Sequence, residues 1–244
     1  MEFFRRPGRR PSLSRAGPSP ARVGILAGAF NPQWGGPMAC PAPPRRVGIL
    51  AGAFNPVTVA HLALARAALS QSGSQVASHV GEVVFVLPKI FPHKPYHGAP
   101  FAERVQILHA ALAGEPAFSI AAADGGLFVE IAAECRKAYG EDARLTFLCG
   151  RDAAERILNW DYGDNYGGPD AVNKMLRQFD LLVAGRRGEL EIVANARHSV
   201  RILALDGDFD HVSSTEVRDR IAHGLPWEHL APEGARDVVR RVYG

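Results

Sequence analysis

Cysteine is scarce in this chain of 244 residues: Cys40, Cys135 and Cys149 are odd in number and widely spaced. No pair has metal-site spacing and no disulfide framework is expected, which fits a reducing cytoplasm. No apolar run reaches the ~20 residues that a membrane-spanning helix needs. Acidic residues are nearly missing from the first 45 positions, which hold 7 Arg and a single acid, Glu2. The first 21 residues also lack apolar periodicity and are rich in Arg, Pro, Ser and Gly. Such a composition cannot bury enough apolar surface to offset chain entropy, so 1–45 is expected to be a disordered basic extension ahead of a domain spanning 46–244. An Arg-rich, acid-poor start resembles an organelle transit peptide, but Pro7, Pro11, Pro18 and Pro20 argue against an amphipathic helix there. The rest of the chain keeps 21 of the 28 basic and 24 of the 25 acidic residues, a net charge of −3. The basic balance belongs to the extension, so neither a nucleic-acid partner nor a membrane partner is indicated.

The body of the chain alternates between two periods. Apolar, β-branched runs stand at 47–51, 82–87, 118–121, 145–149, 179–184 and 200–205. Between them lie segments with helical spacing at 62–69, 101–112, 127–139 and 152–158, followed by 217–222 and a last helix opened by Pro232. Near-continuous apolar strands alternating with helices predict an α/β fold, a Rossmann-like doubly wound parallel sheet of five to six strands. One internal repeat complicates its start. The eleven residues from Arg22 to Pro32 recur letter for letter from Arg46 to Pro56. The first copy continues into Gln33-Trp34-Gly35, the second into Val57-Thr58-Val59-Ala60-His61. The second copy is taken as the working one and the first as a local duplication, with the open alternative that the first competes for the central strand.

Two segments carry chemistry. Gly52-Ala53-Phe54-Asn55-Pro56-Val57-Thr58 links the first body strand to a helix N-terminus, with Thr58 and His61 three apart on its first turn. A turn of this kind aims backbone N–H groups and the positive end of a helix dipole at phosphate oxygens. Far along the chain, Ser213-Ser214-Thr215-Glu216-Val217-Arg218 offers a second helix N-terminus, with two hydroxyls and an arginine one turn on. Ser213 and Glu216 also have the spacing of a capping box, which needs no ligand.

Together these segments resemble the (H/T)xGH and ISSTxxR signatures of the nucleotidylyltransferase superfamily, and more closely the bacterial nicotinate/nicotinamide mononucleotide adenylyltransferases. Further segments fit the resemblance in order and spacing over nearly all of 46–244: Pro92-His93-Lys94, Glu103-Arg104, Gly150-Arg151-Asp152 with Trp160 eight residues on, and Ala184-Gly185-Arg186-Arg187-Gly188. The resemblance implies nucleotidyl transfer from an NTP, ATP first, to a small phosphate-bearing acceptor such as nicotinate mononucleotide, with pyrophosphate released. It implies Mg²⁺ bridged by the substrate, with no protein metal cluster. It assigns catalytic roles to His61, Thr58 and Arg218. Nucleotide or phosphate contacts fall to Gly52, Ala53, Phe54, Lys94, Gly150, Asp152, Arg186, Ser213 and Ser214, and acceptor contacts to Trp160 and Arg104. The departures are Thr58 at the first His of HxGH, Ala60 at its Gly, and Asp124-Gly125-Gly126-Leu127 where the adenylyltransferases carry a Tyr-Thr pair. They keep two alternatives open: another acceptor or CTP, and a nucleotide-binding module without turnover.

Overall fold

The computed structural model describes residues 1–5, 45–70, 80–92, 95–185 and 199–244. The expected roles of Lys94 and Arg186, and the position of Cys40, lie outside these residues. Seven strands form one sheet: β1 (Glu2–Arg5), β2 (Arg46–Ala51), β3 (Glu82–Pro88), β4 (Phe118–Ala123), β5 (Arg144–Gly150), β6 (Asp180–Ala184) and β7 (Val200–Leu203). Their order is β1-β4-β3-β2-β5-β6-β7. All neighbours pair in parallel except β1, which runs antiparallel to β4. Among the described residues seven α-helices accompany them: α1 (Val59–Ser70), α2 (Phe101–Ala111), α3 (Phe128–Tyr139), α4 (Arg151–Leu158), α5 (Ala171–Leu176), α6 (Ser214–Ala222) and α7 (Arg236–Tyr243).

The sheet is buried on both faces, and alternate residues sort between two cores. Val47 and Ile49 of β2, Val84 and Val86 of β3, and Phe147 of β5 enter one core with Ile131, Cys135, Ile157 and Met175 from α3, α4 and α5. Leu50, Val83, Phe85, Leu87 and Leu148 point the other way, to Leu62, Ala65, Ile107, Leu108, Val217 and Val239 from α1, α2, α6 and α7. A chain of rings crosses this second core, with Phe54 at 5.5 Å from Phe85 and Phe85 at 5.4 Å from Phe118. Cys135 and Cys149 are buried thiols pushed up to about 12 by desolvation, which keeps them protonated. No described helix is long and apolar enough to cross a membrane.

From β2 the chain steps outward through β3 and β4, then crosses back to β5 and steps outward on the other side through β6 and β7. The direction reverses between β2 and β5. A crevice opens at such a reversal, outside the carboxyl ends of the strands, and the turn after β2 and the start of α4 after β5 flank it.

The six parallel strands fall where the apolar runs predict them. The seventh corrects the expectation that all of 1–45 lies outside the folded domain. Glu2, Phe3 and Arg5 pair with Ala122, Ala121 and Ile120 of β4. Phe3 stands edge-on to Tyr139 at 5.6 Å, Phe4 lies 6.0 Å from Phe101, and the amino group of Met1 pairs with Glu134 at 3.2 Å. Two phenylalanines and a paired terminus are enough to cover the sheet edge, although four residues show no periodicity. Deleting residues 1–5 is therefore expected to remove about 2–3 kcal/mol of apolar burial and to lower Tm by roughly 5–10 °C. Turnover per folded molecule should be unaffected, because β4 and β3 separate β1 from β2. An unchanged melting curve would show that the edge strand contributes nothing.

Candidate active site

The turn between β2 and α1 begins by extending the sheet. The Gly52 N–H donates to the Val86 carbonyl at 3.1 Å. This corrects the expected phosphate contact of Gly52, whose N–H is already spent on the strand ladder. Phe54 then takes a left-handed conformation, with φ of 45°, and drives its ring into the core at 2 % exposure. A non-glycine residue seldom adopts such a φ, so the surrounding contacts must hold it. Those contacts are side chains from distant elements, bound to three of the turn carbonyls. Arg104 Nη1 of α2 donates to Ala53 O at 2.9 Å, Arg218 Nη1 of α6 to Asn55 O at 2.5 Å, and Ser214 Oγ to Pro56 O at 2.7 Å. In a planar trans peptide the N–H opposes the C=O. The N–H of Phe54 therefore faces away from Arg104, and that of Val57 away from Ser214. The negative ends of these peptides are tied down and their positive ends turn the other way.

At the helix start Thr58 and His61 bond to each other. The Thr58 backbone N–H donates to His61 Nδ1 at 3.1 Å, and Thr58 Oγ1 stands 2.7 Å from the same nitrogen. The backbone bond is the half of a capping box in which the third helical residue accepts from the N-cap N–H, here with histidine. A backbone N–H can only donate, so Nδ1 is an acceptor and the ring proton sits on Nε2. Desolvation lowers the His61 pKa from 6.5 to about 4, so the half-buried ring is a neutral Nε2–H donor at pH 7. Phe54 braces it edge-on at 5.3 Å. Thr58 is fully buried and its hydroxyl is turned to the imidazole. The expectation that Thr58 itself grips a phosphate is corrected: it orients His61.

Arg104 is corrected in the same way. It is 3 % exposed, under the turn, with its guanidinium carbon 4.4 Å from the Tyr96 ring centre, 5.4 Å from Phe101 and 5.6 Å from Phe91. It supports Ala53 from below and presents no open face to an acceptor. Arg218 also donates to Ser214 O at 3.1 Å and to Thr215 Oγ1 at 3.3 Å. Among the described residues neither arginine pairs with a carboxylate, so two cations around the turn remain electrically uncompensated. Ser213 caps α6 by accepting from the Glu216 N–H at 3.0 Å, while the Glu216 carboxylate pairs with Arg220 at 2.5 Å.

The other expected residues stand around the same strand ends. Gly150 closes β5 and Asp152 is exposed in the first turn of α4. Trp160, half-buried, borders a cavity of about 420 Å³ that Asp161, Asp164, Pro169 and Val172 also line. The loop beyond it is tied to α3 by Tyr166, whose hydroxyl donates to Glu130 Oε1 at 2.6 Å. Glu130 Oε2 accepts the N–H groups of Gly126 and Leu127 at 2.8 and 2.9 Å, and Glu134 accepts those of Asp124 and Gly125 at 3.2 and 2.9 Å. The four N–H groups after β4 are thus all engaged by carboxylates of the next helix. Asn55, Tyr243 and Glu130 are absent from the motif reading. Their partners are too distant or too ordinary in sequence to announce them.

Comparison with known proteins agrees with this geometry. The cytidylyltransferase-like family profile matches residues 49–220, and the chain belongs to that family. A protein of Coprothermobacter proteolyticus named "Probable nicotinate-nucleotide adenylyltransferase" is 30% identical over 235 residues, covering 90% of this chain and 92% of the relative. One of the same name from Moorella thermoacetica is 28% identical over 236 residues, covering 91% and 90%. Among solved structures, the nicotinic acid mononucleotide adenylyltransferase of Plasmodium falciparum complexed with NaAD shares the fold. Its TM-score is 0.57 at 14% identity, over 81% of this chain and 96% of that one.

The lowered His61 pKa has a consequence for stability. The unfolded chain takes up a proton near 6.5 and the folded one near 4, so this contribution is complete above about pH 6.5 and is lost as pH falls toward 4. Denaturant titrations over that range should show the loss, and His61→Gln should flatten it. A ring titration midpoint near 6.5 by NMR would contradict the neutral assignment.

Proposed function

We propose that the chain transfers the adenylyl group of ATP to the phosphate of a small acceptor, nicotinate mononucleotide, and releases pyrophosphate in NAD biosynthesis. The observation that carries this reading is the turn itself: a neutral His61 Nε2–H donor shares the turn with two arginines that pair with no carboxylate among the described residues, and with the N-terminus of a second helix. That set suits a triphosphate, which brings several negative charges and no protons to remove. The names of the relatives support the choice of nucleotide and acceptor.

An acceptor phosphate oxygen attacks the α-phosphorus in line, and the bond from that phosphorus to the bridging oxygen breaks. A phosphate monoester is already a nucleophile at neutral pH, so the protein needs no general base. Its part is positioning and charge neutralisation. His61 holds triphosphate oxygens through Nε2–H. Thr58 keeps that nitrogen protonated by engaging the other one. Ser213, the backbone N–H of Ser214 and Arg218 hold the departing pyrophosphate. Ala53 and Phe54 lend backbone N–H groups, Gly150 and Asp152 serve the ribose, and Arg186 is assigned to the adenosine by its motif. Lys94 steadies the acceptor phosphate, and Trp160 faces its ring. Mg²⁺, if bound, would supply neutralisation of the triphosphate charge. The donors at the turn are neutral or cationic, so substrate oxygens and water would be its fitting ligands. The site is assigned to the cytoplasm.

One observation favours a second reading, in which the acceptor is different. The N–H groups of 124–127 are filled by Glu130 and Glu134, so the loop after β4 has no backbone donor left for an anionic acceptor. Pyrophosphate release from ATP and CTP against a panel of acceptors, nicotinate and nicotinamide mononucleotide among them, separates the readings. No release with any pair would leave a nucleotide-binding module.

His61→Ala is expected to lower kcat by on the order of 10²-fold or more, the usual loss for one donor aimed at developing charge. His61→Asn should recover part of it, since an amide N–H can replace a neutral imidazole donor. A fall in Tm with unchanged turnover per folded molecule would reduce His61 to a helix cap. Arg218→Ala should cost about 2–4 kcal/mol in kcat/KM, expressed mainly in kcat. Arg218→Lys should recover little, because one ammonium cannot serve Asn55 O, Ser214 O and a phosphate together. A change confined to acceptor KM would refute the pyrophosphate contact.

A further inference from the structure

Asn55 is the turn residue that none of the phosphate-binding roles uses, yet its polar groups are the most heavily engaged. The side chain is 5 % exposed. Its Oδ1 accepts the Tyr243 hydroxyl at 2.5 Å and the Ala99 N–H at 3.1 Å, and its Nδ2 donates to the His97 carbonyl at 3.4 Å. Its own carbonyl takes Arg218. One side chain thus joins the turn after β2, the segment leading into α2 and the last turn of α7. The approach is close: a Cβ on Gly98 would lie 1.9 Å from Asn55 Nδ2, so glycine is required beside it. Tyr243 is half-buried among Tyr96, Arg104 and Arg218, whose charges act on its phenol, and desolvation raises its pKa far enough to keep the hydroxyl a donor.

We propose that Tyr243 is a positioning residue for nucleotidyl transfer, which fixes the turn through Asn55 and thereby the direction of the His61 Nε2–H bond. The physical reason is the left-handed Phe54 immediately before Asn55. A residue held in that conformation relaxes unless its neighbours forbid it. Asn55 is the next link, and its amide is held in place by three hydrogen bonds of which the phenol supplies the shortest. Release of Oδ1 from Tyr243 leaves one donor on that oxygen and leaves the peptide that precedes Pro56 held by Arg218 with a weakened side-chain anchor. Thr58 stands two residues after Pro56, and its N–H sets the tautomer and plane of His61. The path from Tyr243 to His61 is therefore a run of bonded groups, all within one turn of chain.

The test is Tyr243→Phe, which keeps the ring and the packing of α7 and deletes one oxygen. Three quantities are measured on the full chain: kcat and KM, affinity for ATP by calorimetry, and the ring ¹⁵N signals of His61 by NMR. The inference rests on the nucleotidyl-transfer reading for the first quantity and not for the third. The expected result is a roughly 5–20-fold loss in kcat with acceptor KM within about twofold, as misalignment rather than lost contact predicts. Tm should stay within about 3 °C of the parent, since a single hydrogen bond is removed. The His61 ring signals should move from one Nε2–H species toward an average of tautomers. Asn55→Ala should show the same defect, and the double variant little more, because both act through one bond. Unchanged kcat together with unchanged His61 signals in Tyr243→Phe overturns the inference, as do additive losses in the double variant. If the parent turns over no acceptor, the proposed function fails by itself, and the ring signals decide the inference: tautomer averaging supports it and an unaltered spectrum overturns it.

Discussion

The site depends on keeping one short turn in a conformation it would not adopt alone. Residues 52–58 leave the central strand, pass through a left-handed phenylalanine and enter a helix within a single change of direction. The carbonyls of Ala53, Asn55 and Pro56 have no strand or helix partner, and a buried carbonyl without a partner costs about 1–3 kcal/mol. The fold satisfies them with Arg104, Arg218 and Ser214. Two of these bonds, those to Ala53 O and Pro56 O, also set the turn's polarity, since tying the oxygens inward leaves the Phe54 and Val57 amide hydrogens to face an anion. Stability and ligand preference here are two readings of one arrangement.

Charge obeys the same logic. A buried arginine normally seeks a carboxylate, yet Arg104 has carbonyl and aromatic partners instead, and its Nε lacks a partner among the described residues. Burial pulls its pKa down, but a guanidinium stays charged at any pH the protein meets. Supplying a carboxylate would neutralise the field at the turn. Aromatic faces stabilise the cation through their quadrupoles without cancelling its charge at a distance. His61 is the complement: a donor that carries no charge and so does not repel either arginine. The site is positive where charge is permanent and neutral where the donor must approach closely.

Much of this architecture is legible in the residues alone. The six parallel strands come from apolar runs, and the two motif segments from residue types that suit helix N-termini. Direction is what the sequence does not carry. Gly52, Thr58 and Arg104 have the right chemistry for phosphate, but the ladder bond to Val86, the imidazole of His61 and the carbonyl of Ala53 claim them first. Those partners depend on which way each group points within one turn, and periodicity is silent on that. β1 escapes a pattern reading because four residues in an arginine-rich stretch carry no alternation. Local sequence does not choose between the identical copies at 22–32 and 46–56 either. The choice rests on the residues after each copy, since the second alone leads into Thr58, His61 and an Ala- and Leu-rich helix.

Sequence separation explains why the turn's restraints are hidden in the chain and what they do to folding. Asn55 meets Tyr243 across 188 residues and Arg218 across 163, and Ser214 meets Pro56 across 158. Contacts so distant return free energy only after most of the chain has closed its loops. The strands β2, β3 and β4 and their helices can assemble with the turn still loose, because Gly52 alone belongs to the ladder. Beside Arg104 of α2, the turn is held by α6 and α7, the helices farthest along the chain. Elements distant in sequence thus organise the residues nearest the chemistry. Local loosening of α7 at the chain end would disorder the turn while the sheet stays intact, so catalytic competence and global stability are governed by different parts of the fold.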